Sequence, residues 1–289
     1  MFDFMSWGKR NRLAQIVQPD GKCLMLAIDH GYFMGPTHGM EQPAQAILPL
    51  LPHIDSLMLS PGILSTSVSP LLRGIGWVLR ASGGNSVLEE DIDNEGLILS
   101  AEEAVRLNAS AMAVSVYVGA DHQHQTLLNL SNAITQASRF DMPVLGVTAV
   151  GKKLKDKKEK RYLALASRIA AELGADIVKT YYCEGFEEVV AKTPVPIVVA
   201  GGPKLETYRD VLELTYNALQ AGAIGVDMGR NIWQSSHPAA ILQAVRAIVH
   251  DGATVEMGLE IVADLSNEAT RRKELFEVTR EDMAVSAIH

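Results

Sequence analysis

A lysine stands where a buried strand has no ordinary use for one. In Gly174-Ala175-Asp176-Ile177-Val178-Lys179-Thr180-Tyr181-Tyr182 the nearly continuous apolar run Ala175 to Val178 follows a long helical pattern and reads as a strand covered on both faces. Burying an ammonium costs several kcal/mol unless it is paired or neutralised. Two readings fit Lys179. Its amine enters a site, where desolvation favours the neutral form that attacks carbonyl carbon to give a Schiff base. Otherwise it is a strand-end lysine that snorkels to water.

Other polar residues close apolar runs in the same manner. Cys23 to Ile28 ends in Asp29-His30-Gly31, Gly76 to Val78 runs out through Leu79 to Arg80 and Ser82, and Pro143 to Val147 ends at Thr148. Val198-Val-Ala-Gly201-Gly202 and Gly225-Val-Asp-Met-Gly229-Arg230-Asn231 place glycine turns after two late strands. Such turns bring bare backbone N–H groups and a helix N-terminus to an anion, and the Arg230 guanidinium adds bidentate contacts. The alternative is that the glycines only permit tight turns and Arg230 caps a surface. Asp29 beside His30 suits proton relay, or holding an amine and substrate hydroxyls, and equally a hydrogen-bonded loop.

These residues need a frame. Strands are expected at Cys23 to Asp29, Ile54 to Ser60, Gly76 to Arg80, Ala111 to Val118, Pro143 to Thr148, Ala175 to Lys179, Val195 to Ala200 and Ile224 to Met228. Helical patterns cover Gln42 to Leu51, Gln125 to Phe140, Tyr162 to Leu173, Phe186 to Ala191, Tyr208 to Gln220 and Pro238 to Val249, and Ser100 with Glu103 makes a capping-box start. Gly31 to Gly39 reads as a loop, and Pro61-Gly62 closes the second strand. Eight short strands alternating with helices, without a linker, predict an α/β fold, a (β/α)₈ TIM barrel with an N-terminal arm and a helical C-terminal tail. An open doubly wound sheet is the competitor, but neither Gly201-Gly202 nor Gly83-Gly84 has the dinucleotide-binding spacing. The expected boundaries are an arm over residues 1–22, a barrel over 23–250 and an extension over 251–289 for packing or subunit contact. In a barrel the strand ends converge at one mouth, which makes Asp29, His30, Arg80, Ser82, Thr148, Lys179, Gly201, Gly202, Gly229 and Arg230 one candidate list.

Composition removes other classes. The 289 residues carry 26 Lys and Arg against 34 Asp and Glu, a formal charge of −8, with no long basic face, so neither nucleic acid nor an anionic membrane is an expected partner. Cys23 and Cys183 form no disulfide framework and have no zinc spacing, which implies a reducing interior. No apolar run suits a signal peptide or a bilayer span, so the chain reads as soluble and cytoplasmic. Asp91-Ile-Asp93-Asn-Glu95-Gly96 with Glu102 resembles a calcium loop, but Glu95 stands where Asp or Asn is usual; no metal is expected. The run Lys152 to Arg161 reads as a solvated loop or as an attractor for a polyanionic cosubstrate, while His122 and His124 read as surface histidines or mouth residues.

Taken together, Ala-Ile-Asp29-His30-Gly31, Ala175-Asp-Ile-Val-Lys179-Thr, Ala200-Gly201-Gly202-Pro-Lys204 and Gly225-Val-Asp-Met-Gly229-Arg230-Asn231-Ile resemble the archaeal-type class I (Schiff-base) fructose-bisphosphate aldolase family over roughly Lys22 to His250. The stretches Asp29 to Thr37, Arg80 to Ser86 and Lys179 to Tyr182 are most similar to its thiolase branch, which moves an acetyl group from a phosphorylated diketone to coenzyme A. The resemblance implies Lys179 as the Schiff-base lysine and Asp29 as an acid/base or orienting group. Gly201, Gly202, Gly229 and Arg230, with His30 and Ser82, would bind the substrate and its phosphate. It implies no bound cofactor, coenzyme A as cosubstrate near Lys152 to Lys160, and a ring-like homo-oligomer. Family aldolases carry an acid/base tyrosine at the end of strand five; Pro143 to Gly151 has none. Plain aldolase chemistry on a sugar phosphate, and a non-catalytic sugar-phosphate binder, are the competing functions.

Overall fold

The computed structural model describes residue 2 and residues 5–89, 92–150 and 159–268. Eight parallel strands close into a barrel: β1 (Cys23–Ala27), β2 (Ser56–Leu59), β3 (Gly76–Arg80), β4 (Ala111–Val118), β5 (Val144–Val150), β6 (Ile177–Tyr181), β7 (Ile197–Ala200) and β8 (Gly225–Met228). The order follows the chain, and β1 pairs with β8 from Cys23 opposite Gly225 to Leu26 opposite Met228. At that seam a Cβ on Gly225 would lie 1.8 Å from the Cys23 carbonyl oxygen, so only glycine lets the strands meet.

Strand periodicity divides the core in two. Cys23, Met25, Ala27, Met58, Val78, Ala113, Leu145, Ile177 and Val198 fill the barrel interior, while Leu24, Leu26, Leu57, Leu59, Leu79, Val114, Val116, Val178, Val199 and Val226 pack outward against the helices. Both sets are buried, which is why the strands read as continuous apolar runs rather than alternating ones. The arm closes the end of the barrel opposite the strands' C-termini. Its helix, Trp7–Leu13, inserts Leu13 into the inner core, the turn after it adds Ile16, and Lys9 Nζ reaches Asp176 Oδ1 at 3.0 Å.

Several loops differ from expectation. Gly31–Met34 forms one helical turn and Pro61–Ser67 a seven-residue helix, for which Pro61 at the first position and the Ser60 cap are sufficient local signals. At Ser100 the hydroxyl accepts from Glu103 N–H, but Glu103 turns to Arg106, so the reciprocal half of the capping box is missing. Residues 255–268 are helical, consistent with a helical C-terminal region. Among the described residues no helix is long and apolar enough to cross a membrane.

The helix Pro238–Asp251 is tied to the barrel by His250, whose Nδ1 lies 2.7 Å from Asp20 Oδ2 and whose Nε2 lies 2.9 Å from Asp55 Oδ2. Burial opposes the imidazolium, but the two carboxylates outweigh it and hold the pKa of His250 above its ordinary value. The stabilisation is therefore fully present below the unfolded-state pKa near 6.5 and is lost as pH rises through the raised folded value. His250→Gln is expected to lower the melting temperature more at pH 6 than at pH 9, measured by thermal scans of both proteins in matched buffers.

Candidate active site

At the C-terminal mouth one pocket gathers Asp29, His30, Arg80, Thr148, Lys179, Gly201, Gly202, Gly229 and Arg230 from the predicted list. Lys179 is the third residue of β6, in the interior-facing set with Ile177, and is only 9% exposed. Its Nζ lies 2.6 Å from Asp227 Oδ2 and 3.6 Å from Met58 Sδ. Burial pushes the Asp227 carboxyl above its ordinary range, partly countered by Lys179. Asp227 was overlooked in the sequence, although a carboxylate in the middle of a buried run invites the same question as Lys179.

Asp29 extends β1 into the mouth and meets Arg80 from β3. Arg80 donates to Asp29 Oδ2 from Nε at 2.9 Å and from Nη2 at 2.6 Å, and Nη1 donates to Ser115 Oγ at 2.6 Å. Burial alone would raise the Asp29 pKa, but the guanidinium outweighs it and holds the carboxyl down at about 2. Asp29 is thus a fixed anion near neutrality. His30 is brought down to about 4 by burial, against the opposing pull of Asp29, so its ring is neutral there. It sits edge-on to Trp233, with centroids 5.4 Å apart.

The glycine turns lie beside this group. Gly202 has φ +69°, which favours glycine, and Arg230 Nη2 donates to its carbonyl at 3.2 Å. Arg230 Nε is buried without a hydrogen-bond partner among the described residues. The expected helix N-terminus is weak, since the helix is only Arg230–Trp233. Packing also demands the glycines: a Cβ on Gly201 would meet Met228 Sδ at 2.7 Å, and one on Gly229 would meet His30 Cε1 at 2.7 Å and the Ala27 carbonyl at 3.0 Å. Arg80, Lys179 and Arg230 face the cavity against the carboxylates of Asp29 and Asp227, so a chain of net charge −8 presents a locally cationic mouth.

Ser82 sits elsewhere, and Thr148 turns its hydroxyl away. Ser82 is fully buried behind the pocket, where it donates to Glu95 Oε2 at 2.6 Å and accepts from Ser115 N–H, because the short ribbon pairing Ser82–Gly83 with Gly96–Leu97 turns it away from the cavity. Thr148 borders the pocket but points its hydroxyl at Thr180, 2.8 Å away, since strand alternation gives the interior to Val147 and Ala149. Of the supposed calcium loop, Asp91 lies outside the described residues, Asp93 accepts from His122 N–H and Glu95 turns inward. The helix after β4 begins at Gln123, and neither His122 nor His124 lines the pocket. Residues 151–158 of the basic run lie outside the described residues, and Lys160 pairs with Glu188.

The sequence reading also missed three aromatic or acidic neighbours. Tyr32 and Tyr117 line the pocket and both donate to Glu95 Oε1, at 2.6 and 3.1 Å. Tyr117 had a signal, its place two residues beyond Ser115 near the end of β4. Tyr32 lies in the helical turn Gly31–Met34 and Glu95 in a loop, and no local pattern gives the course of either.

Residues 23–235 match the profile of the DeoC/LacD family aldolases, which is most of the chain and the whole barrel through the second glycine turn. The chain belongs to the DeoC/LacD aldolase family. It is 48% identical over 260 residues to the 3-hydroxy-5-phosphonooxypentane-2,4-dione thiolase of Escherichia coli (strain K12), covering 89% of this chain and 87% of that one. The thiolase of the same name from Yersinia pseudotuberculosis (strain IP 31758) is 51% identical over 248 residues, covering 85% of this aldolase-family chain and 84% of its own. An archaeal fructose-1,6-bisphosphate aldolase, solved with its catalytic lysine covalently bound to the carbinolamine intermediate, superposes with a TM-score of 0.75 at 28% identity, covering 83% of this chain and 99% of the other. The resemblance read from the sequence and the barrel fold are both borne out, and the chain is an aldolase-family enzyme.

Proposed function

We propose that this enzyme is a 3-hydroxy-5-phosphonooxypentane-2,4-dione thiolase that forms a Schiff base on Lys179, transfers the acetyl group to coenzyme A and releases dihydroxyacetone phosphate. The observation that carries the reading is a buried lysine amine, 2.6 Å from the Asp227 carboxylate, in the same cationic pocket as Gly202 and the free Nε of Arg230. The identity of 48–51% to thiolases of that name supports the choice of substrate.

In this reading Gly201, Gly202 and Gly229 offer backbone N–H groups, and Arg230 a guanidinium, to the substrate phosphate. That anchors the adjacent ketone at Lys179. Asp227, its carboxyl raised by burial, takes the proton that the lysine must shed before attacking the carbonyl. The resulting iminium is the electron sink: when the thiol adds to the acetyl carbonyl and the carbon–carbon bond breaks, its electron pair flows to the imine nitrogen and leaves an enamine. Asp29, ionised down to about pH 2, orients substrate hydroxyls rather than carrying protons. Coenzyme A enters as a cosubstrate from the open mouth.

Incubation with the phosphorylated diketone should yield acetyl-CoA only when coenzyme A is added. Release of glyceraldehyde phosphate from fructose bisphosphate would instead support plain aldolase chemistry. Borohydride reduction with dihydroxyacetone phosphate, read by mass spectrometry, should place the adduct on Lys179; no adduct would mark a sugar-phosphate binder. Gly229→Ala, whose Cβ would press on His30 and the Ala27 carbonyl, is expected to raise KM for the diketone roughly tenfold, about 1.4 kcal/mol of binding, with a smaller change in kcat. Steady-state kinetics check it.

A further inference from the structure

Parallel register sets Tyr117 of β4 opposite Ala149 of β5, and Val147 of β5 opposite Lys179 of β6. The two interior-facing positions of β5 at the level of the site are therefore Val147 and Ala149, with no acid or base on either. The strand that lies between Tyr117 and the lysine is lined by a methyl and an isopropyl group, and Tyr117 lines the same cavity from the far side of that gap.

The phenol is not an isolated group. Tyr117 Oη lies 3.1 Å from Glu95 Oε1, beside Ser115, whose hydroxyl accepts from Arg80. Glu95 is 1% exposed and also accepts from Tyr32 at 2.6 Å and Ser82 at 2.6 Å. A carboxylate buried to that degree needs several donors. The contact to Tyr117 is the longest of its three hydroxyl contacts, and the other two hold Glu95 in place behind the phenol. Tyr181, which lines the pocket as Tyr32 does, lies on the opposite side of Ala149 with its ring edge 3.8 Å from where a Cβ on Gly202 would sit, on the phosphate side.

We propose that Tyr117 is the catalytic acid/base of this site and that Glu95, behind it, positions the phenol and holds the proton in transit. The proposal rests on the imine reading above. In the cleavage direction the thiol S–H bond breaks and its proton passes to Tyr117 Oη as the phenol's own proton moves along the existing hydrogen bond to Glu95. The thiolate pair forms the new sulfur–carbon bond at the acetyl carbonyl, and the carbon–carbon bond breaks with its pair kept in the enamine. The enamine carbon then takes the proton back by the same route in reverse. The nitrogen returns to an iminium, and water releases dihydroxyacetone phosphate. The proton lost by the thiol ends on carbon, no phenolate forms, and atoms and charge balance.

The test separates imine formation from proton transfer and needs no thiol. The wild-type enzyme with dihydroxyacetone phosphate in deuterium oxide should exchange one proton of the hydroxymethyl carbon, followed by NMR, and should give the borohydride adduct at Lys179. Tyr117→Phe is expected to keep the adduct and its melting temperature while losing about 10²-fold or more in exchange rate, the scale of general acid–base catalysis. Glu95→Gln keeps the shape and a hydrogen-bond acceptor but cannot take a proton; it should show the same split, whereas damage to the pocket would lower adduct and exchange together. Exchange within threefold of wild type in Tyr117→Phe, or a loss carried by Tyr181→Phe instead, would overturn the assignment. Absence of the adduct in the wild type would overturn the imine reading first, and this one with it.

Discussion

Replacing Lys179 by methionine is expected to abolish the borohydride adduct and to cut acetyl transfer by on the order of 10⁴-fold or more, as when a covalent nucleophile is removed from an enzyme. The side chains are similar in volume, so the cavity at the level of Met58 and Asp227 is largely kept. The charge balance is kept too. Asp227 loses its cation, but burial already raises its carboxyl above the ordinary range, and in the variant it takes up a proton rather than remaining a naked anion. Chemistry should therefore disappear with the fold intact. Intact-mass spectrometry after reduction, an acetyl-CoA assay and a thermal scan of one preparation check all three parts; an adduct persisting at another lysine would overturn the assignment.

Arg80→Leu should act the other way, on stability first. Arg80 donates twice to Asp29 and once to Ser115, and both members of the ion pair are about nine-tenths or more buried. Removing one partner of a buried pair leaves the other uncompensated, at a cost of about 3–5 kcal/mol. Asp29 is held down at about 2 chiefly because the guanidinium overrides burial, so without Arg80 it must either protonate or stay charged in a dry site. The sign in pH follows. A carboxyl with a lowered folded pKa contributes stability above its unfolded value near 3.9, and that contribution is lost as pH falls toward 2. The difference in unfolding free energy between wild type and Arg80→Leu should be large at pH 7 and should shrink below pH 4, measured by urea unfolding. In Asp29→Asn/Arg80→Leu the two losses should be far from additive, since each single variant already breaks the same pair.

Both predictions concern residues that were visible in the sequence as charges at the ends of apolar runs. Lys179, Asp29 and Arg80 stood out because a strand buried on both faces tolerates a charge only at a site, and Gly201-Gly202 and Gly229-Arg230 because two glycine turns follow late strands. The eight strands were legible for the same reason: each is short, apolar and set off from a helical period. Asp227 carried an equal signal and was passed over within the glycine motif.

What local pattern could not supply was pairing and direction. Ser82 and Thr148 were placed at the mouth by strand position, yet one is turned behind the pocket by a two-residue ribbon and the other is turned outward by alternation. Glu95 stood out in the sequence only as the residue that breaks a calcium-loop pattern, and only the folded chain carries it across to Tyr32, Ser82 and Tyr117, 63, 13 and 22 residues away. By itself the sequence determined the barrel, the buried lysine and the paired glycine turns, because burial and backbone freedom are properties of single residues in their local runs. Which carboxylate meets which cation, and which tyrosines share the pocket with the lysine, was decided by barrel closure and strand register. Those contacts join residues far apart in the chain, and no local preference encodes them.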